Sequence, residues 1–271
     1  MRVPRCLVAT LGVTALLTAW APGTAAANQF RVTCASSHVA NDDPIVAPGQ
    51  PGAAHRHEFF GARSTDASST TASLERSATS CASPADTAAY WVPTLEVRGI
   101  RLPGTMTVYY QRAGKARAAA PPRGLRMIAG NAKSTAAQPL SVTGWQCIGR
   151  GRLRQSAAVP ACVAGERLAA WVRFPDCWDG RRLDAPDHRS HMAYARRGAC
   201  PGTHPVELMR VATLVTWPVR PVDPATVRLG GNMMGPTGMH GDFWNSWRQS
   251  TLRQLRWDCI EVSAPCGAIT R

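Results

Sequence analysis

Six of the seven histidines fall in four short motifs. In His55-Arg56-His57-Glu58, alternate residues of a strand leave one face, so His55 and His57 would stand side by side. Two imidazoles so placed are a common start to a metal site. Asp187-His188-Arg189-Ser190-His191 sets two histidines three apart, a spacing that joins them on a helical turn. His204 follows Cys200-Pro201, and Met239-His240-Gly241-Asp242 runs toward the C-terminal region. His38 stands apart and is read as incidental. Two chemistries stay open. His55, His57 and His240 would ligate a divalent metal, zinc ahead of copper. Alternatively, His188, His191 and His240 would do acid–base work, with Asp187 or Asp242 orienting an imidazole or acting as base.

Asp176, Asp179, Asp184 and Asp187 form an acidic cluster in a basic chain. Two carboxylates could flank a glycosidic bond or join a calcium site. Against that, Asp179-Gly180 is a turn signal and Asp187 a helix cap, and Asp179 and Asp184 are given to structure. Arg126 or Arg189 could neutralise an acidic substituent, and Tyr90, Trp91 or Trp178 could stack on sugar rings. The chain has no GxSxG elbow, no HExxH and no phosphate-cradling GxxxxGK[ST].

The elements that must position these groups are mostly strands. Phe30 to Cys34 alternates, and 90–92, 106–110, 142–147, 169–174 and 211–217 are β-branched or aromatic runs bounded by Gly or Pro. With 23 Gly and 21 Pro, loops are frequent. One helix is expected between Asn245 and Trp257, capped by Asn245 or Ser246. The fold expected is mainly β, one sandwich or jelly-roll-like domain with long loops and a C-terminal helix. Arg2 and Arg5, the apolar run Cys6 to Trp20 and Ala25-Ala26-Ala27 have the build of a signal peptide over residues 1–27. Residues 28–271 would then be a single secreted domain beginning at Asn28, extracellular or periplasmic. A mature N-terminal Asn rules out a histidine-brace copper site under that cleavage.

The eight cysteines after the leader favour four disulfides in an exported chain. No CxxC pair favours zinc, and pairing in sequence order is the simplest pattern. No later stretch has the roughly 20 apolar residues of a membrane span. The formal charge is +14, nearly all of it arginine, since the only lysines are Lys115 and Lys133. Codon usage in a GC-rich genome explains part of that. The functional reading is attraction to an anionic extracellular polymer, and with no DNA-binding motif nucleic acid is not expected as a partner.

The motifs Phe30-Arg31-Val32-Thr33-Cys34, Asp43-Pro44-Ile45-Val46, His55 to Gly61, Ala89 to Leu95, Gly124 to Gly130, Phe174 to Gly180, Asp187 to Tyr194, Cys200-Pro201 with His204-Pro205-Val206, and His240-Gly241-Asp242-Phe243 run in a recognisable order. Through them the chain resembles the secreted bacterial and fungal family labelled domain of unknown function 1996. It departs at Gly241, where Ala is expected. The resemblance implies an extracellular protein, in fungi often beside carbohydrate-binding wall modules, and supplies no reaction. The function expected is therefore a carbohydrate-active hydrolase or lyase acting on an extracellular or cell-wall polysaccharide through a histidine-rich cleft. The rivals are a non-catalytic polysaccharide- or metal-binding module and a metal-dependent phosphoesterase.

Overall fold

The computed structural model describes residues 28–270 apart from 113, 115–116, 150–153, 219–221 and 263–264, so the expected leader lies outside the described residues. Eleven strands build the two main sheets. They are β1 Gln29–Ala35, β2 His38–Ala40, β3 His57–Gly61, β4 Ala89–Pro93, β5 Thr105–Gln111 and β6 Arg126–Gly130. Further along come β7 Thr143–Ile148, β8 Arg167–Arg173, β9 Arg210–Trp217, β10 His240–Trp244 and β11 Gly267–Ala268. All six runs read as strands from their β-branched and aromatic content are strands.

One sheet has the order β11-β1-β5-β9-β8-β7 and the other β2-β3-β4-β10-β6. Pairing is antiparallel except between β1 and β11. The sheets share one core. Phe30, Val32, Met106, Val108, Val211 and Val215 meet Phe60, Tyr90, Val92, Met127 and Phe243 in a single buried cluster. The period of two sends their neighbours to the far face of the second sheet. There Phe59, Trp91, Ile128 and Trp244 form a second cluster under Ile45 and Leu74. Strands β3, β4 and β10 are therefore buried on both faces. β4, Ala-Tyr-Trp-Val-Pro, shows the unbroken apolar run expected of such a strand, whereas β3 and β10 carry His57, Glu58, His240 and Asp242 into the interior.

The helical elements are short. α1 spans Thr71–Glu75 behind a Thr70–Ser73 capping box. The C-terminal helix, α2, covers Gln249–Leu255 and continues into a π-helical turn, Arg256–Glu261. It starts later than the sequence suggested. Asn245 and Ser246 do not cap it, because the Asn245 amide donates to the carbonyls of Pro121 and Pro122. The four disulfides join Cys34–Cys81, Cys147–Cys162, Cys177–Cys200 and Cys259–Cys266, the pairing in sequence order.

Candidate metal centre

His55, His57 and His240 meet at one end of the five-stranded sheet. β3 begins only at His57, so His55 lies in the segment before it rather than on the strand. The pair still converges, with ring centroids 4.1 Å apart. Gly230 holds His55 from behind. It has φ +64°, and a Cβ there would stand 2.9 Å from His55 Cδ2. His240 opens β10 opposite Gly130 of β6.

Each buried ring has its tautomer fixed by a carbonyl, which can only accept. The His57 Nδ1–H donates to the Asp42 carbonyl at 2.8 Å. The His240 Nδ1–H donates to the Gly238 carbonyl at 2.8 Å. Their Nε2 atoms consequently carry lone pairs, and these face each other at 3.4 Å. His55 Nε2 stands 3.1 Å from His240 Nε2. Burial is the main force keeping these rings neutral. It holds His57 well below the usual imidazole range, helped by His55 and His240, and pushes His240 down to about 4. Neutral rings with one nitrogen anchored to a carbonyl are the form in which histidine ligates metal.

Carboxylates complete the cluster. Asp242 leaves the same face of β10 as His240, between Trp91 and Ile128 on the neighbouring strands. Both its oxygens are buried without a hydrogen-bond partner. Burial, with Asp43 second, raises its pKa well above the carboxylate range, while Arg189 opposes the shift. Asp43 Oδ1 accepts from the amides of Ile45 and Val46 at 3.0 and 2.9 Å, and burial raises it too. One candidate ligand atom from each of His55, His57 and His240 lies within 4.8 Å of the others, and the same holds for Asp43, His57 and Asp242. Five residues from three segments thus form two overlapping triads that share His57.

Asp43, His55, His240 and Asp242 line a cavity of about 420 Å³, with Asn131, Lys133, Asp187, His188 and Arg189 among its other walls and His57 buried behind it. His188 holds a left-handed backbone, φ 55°. Its Nδ1 bonds the Asp184 carboxylate at 3.0 Å, and Asp184 also pairs with Arg126 at 3.0 Å. Asp184, which the sequence reading gave to structure, is therefore the group that orients His188. Asp187 does not touch an imidazole. It caps the loop by accepting from the amides of Arg189 and Ser190, which holds its carboxyl down at about 2.

Other expectations are corrected. His188 closes a turn on Ala185 and His191 lies in the next turn, Arg189 to Met192, with no helix between them, and His191 is fully buried with Nε2 donating to the Arg126 carbonyl at 2.7 Å. Tyr90 and Trp91 are 0% exposed and cannot stack on a sugar. Tyr90 bonds Asp86 and Tyr110 in the core, and Trp91 packs on Phe59. Trp178 donates to the Arg182 carbonyl and lies outside the cavity walls. Arg126 stacks over Trp244 at 3.9 Å rather than reaching the cavity. Arg189 does line it, donating to the Gly130 carbonyl at 2.8 Å. His204 bonds the Ser190 carbonyl, and His38 stacks on Phe59, so both brace the fold. Reading by type and spacing missed Asp43 and Lys133, although Asp43 sits in one of the motifs quoted above.

Fold and site together define a disulfide-stapled β-sandwich with a histidine–carboxylate cluster at one end of a sheet. The family model described as Domain of unknown function (DUF1996) matches residues 43–247, and the chain belongs to that family. No curated protein and no solved structure matches it. No helix among the described residues is long and apolar enough to cross a membrane.

Proposed function

We propose that the chain is a metal-dependent enzyme, a hydrolase or lyase acting on an anionic extracellular polysaccharide. The observation that carries this reading is the set of lone pairs converging beside an unpartnered buried carboxylate on the floor of an open cavity. His55, His57 and His240, with Asp242, would hold the ion. Zinc is the default for an imidazole-rich set, and copper the alternative. A bound divalent ion there would supply Lewis acidity and a water acidified toward neutral pH. A cluster that meets the cavity on one side leaves a position for water or substrate, as catalytic sites do and closed structural sites do not.

The remaining groups have work that follows from their contacts. Asp184 holds His188 by Nδ1, which leaves Nε2 to take or give a proton in the cavity. Arg189 and Lys133 offer positive charge to a carboxylate or sulfate on the substrate. Among the described residues the wall holds no Phe, Tyr or Trp, which favours an anionic group over a stacked neutral ring. The same lining favours a second reading, a metal-dependent phosphoesterase. Four disulfides agree with an oxidising, extracytoplasmic setting.

The test is elemental analysis of the protein exported with its disulfides formed, beside a His55→Ala/His57→Ala variant. Near-stoichiometric metal in the wild type and none in the variant supports the reading. No metal in either, after incubation with zinc and with copper, overturns it. Release of unsaturated uronate or of phosphate from wall polymers then separates lyase from phosphoesterase.

A further inference from the structure

Away from the metal centre, α2 carries a second feature. Gln249, Arg253 and Arg256, spaced four and three apart, fall on one helical face. All three line a hollow of about 740 Å³ together with Arg117 and Arg123. A second hollow, of about 490 Å³, shares Arg123 and Gln249 with the first and adds Arg248. The two adjoin as one trough containing five arginines.

Their charge is only partly answered. Arg123 pairs with Glu75, and both Arg117 and Arg256 draw on Glu261. Arg248 and Arg253 are exposed and have no ion pair among the described residues. One turn beyond Arg253, Trp257 is 48% exposed, far more than a core tryptophan would be. Leu252, flanking that face of the helix, is fully buried, and the Cys259–Cys266 bridge fixes the chain just past it. The trough is thus rigidly mounted.

We propose that this trough binds an acidic polysaccharide, a polyuronate in chemistry, at a site separate from the metal centre. Guanidinium groups match carboxylates in a planar, bidentate way that ammonium groups do not. An exposed indole beside them offers a face to a sugar ring. Nucleic acid fits less well, because single strands are gripped by successive stacking aromatics and Trp257, one turn beyond Arg253, is a single exposed indole. Such a site would hold the polymer on the surface and raise its local concentration at the enzyme.

The test uses the full chain, metal-loaded and chelator-treated, titrated with polygalacturonate, neutral dextran and single-stranded DNA. Polygalacturonate should bind saturably in both metal states and weaken as salt rises. Arg248→Gln/Arg253→Gln should lower its affinity by about tenfold and Trp257→Ala by about fivefold. The charge-matched control Arg98→Gln/Arg101→Gln, on exposed residues elsewhere, should lose less than about twofold. Equal losses in the two arginine pairs would reduce the effect to net charge and overturn the trough. So would dextran binding as tightly as polygalacturonate, or DNA binding more tightly. Loss of binding on metal removal would move the ligand to the metal centre instead.

Discussion

His57 and His240 turn their Nε2 atoms toward each other at 3.4 Å, and neither nitrogen carries the proton that would make the contact a hydrogen bond. Two lone pairs held at that distance in a buried pocket gain when a cation or a hydrogen-bond donor lies between or beside them. Their positions follow from backbone anchoring, so the cluster is built before any ion arrives.

Replacing either ring should therefore be felt in metal affinity before it is felt in fold. His57→Ala and His240→Ala should each weaken zinc binding beyond the roughly 10–100-fold typical of losing an outer-shell partner. Competition against a chromophoric chelator reads this directly. An affinity within about threefold of wild type would remove that histidine from the ligand set.

Asp242 gives a pH prediction whose sign can be worked out. Its folded-state pKa is raised, mainly by burial. Such a group adds stability below its unfolded value, about 3.9, and loses that contribution as pH rises. Asp242 should then take stability from the metal-free protein between about pH 4 and neutrality, against the gain that the depressed His57 and His240 bring over the same range, and Asp242→Asn should remove Asp242's share of the pH dependence. At pH 7 the metal-free variant should melt roughly 2–4 °C above metal-free wild type, yet gain less from added zinc. A metal-free variant that melts lower than wild type would contradict this account.

Gly230 tests positioning without replacing a candidate ligand. A methyl group at φ +64° would collide with His55 Cδ2. Gly230→Ala should cost about 1–3 kcal/mol of backbone strain and loosen metal binding about tenfold, with the circular dichroism of the β-sandwich unchanged. Unaltered zinc affinity would show that His55 is not a ligand.

Trp91 should behave as core. Trp91→Ala should destabilise the protein by about 3–5 kcal/mol, seen in denaturant unfolding. A variant of near-normal stability that had lost glycan binding would return Trp91 to the surface role that its burial denies.

Much of this was legible from residue type. The six strand runs announced themselves because β-branched and aromatic residues fill a sandwich interior. The three candidate ligands stood out because histidine is scarce and four of the seven sit in two tight pairs, of which His55 and His57 are two of the three candidates. The misreadings share one physical cause. Tyr90 and Trp91 look like a sugar platform until the facing sheet covers Tyr90 on one side of β4 and the layer of Ile45 and Leu74 covers Trp91 on the other. Asp187 adjoins His188 in sequence and Asp184 lies four residues before it, which pointed to the wrong one of the two. The loop's path alone decides that one meets His188 and the other caps amides. Asp43 carries no local signal of function, because its neighbours across the cluster, His57 and Asp242, lie far along the chain.

The four disulfides have one more consequence. Each joins a cysteine to the next in the sequence, so no bridge spans another. A chain fed N-terminus first into an oxidising compartment would bring out each cysteine and its partner before the next pair emerged. An oxidase that simply linked cysteines in order of arrival would make only native bonds, leaving nothing for an isomerase to unscramble.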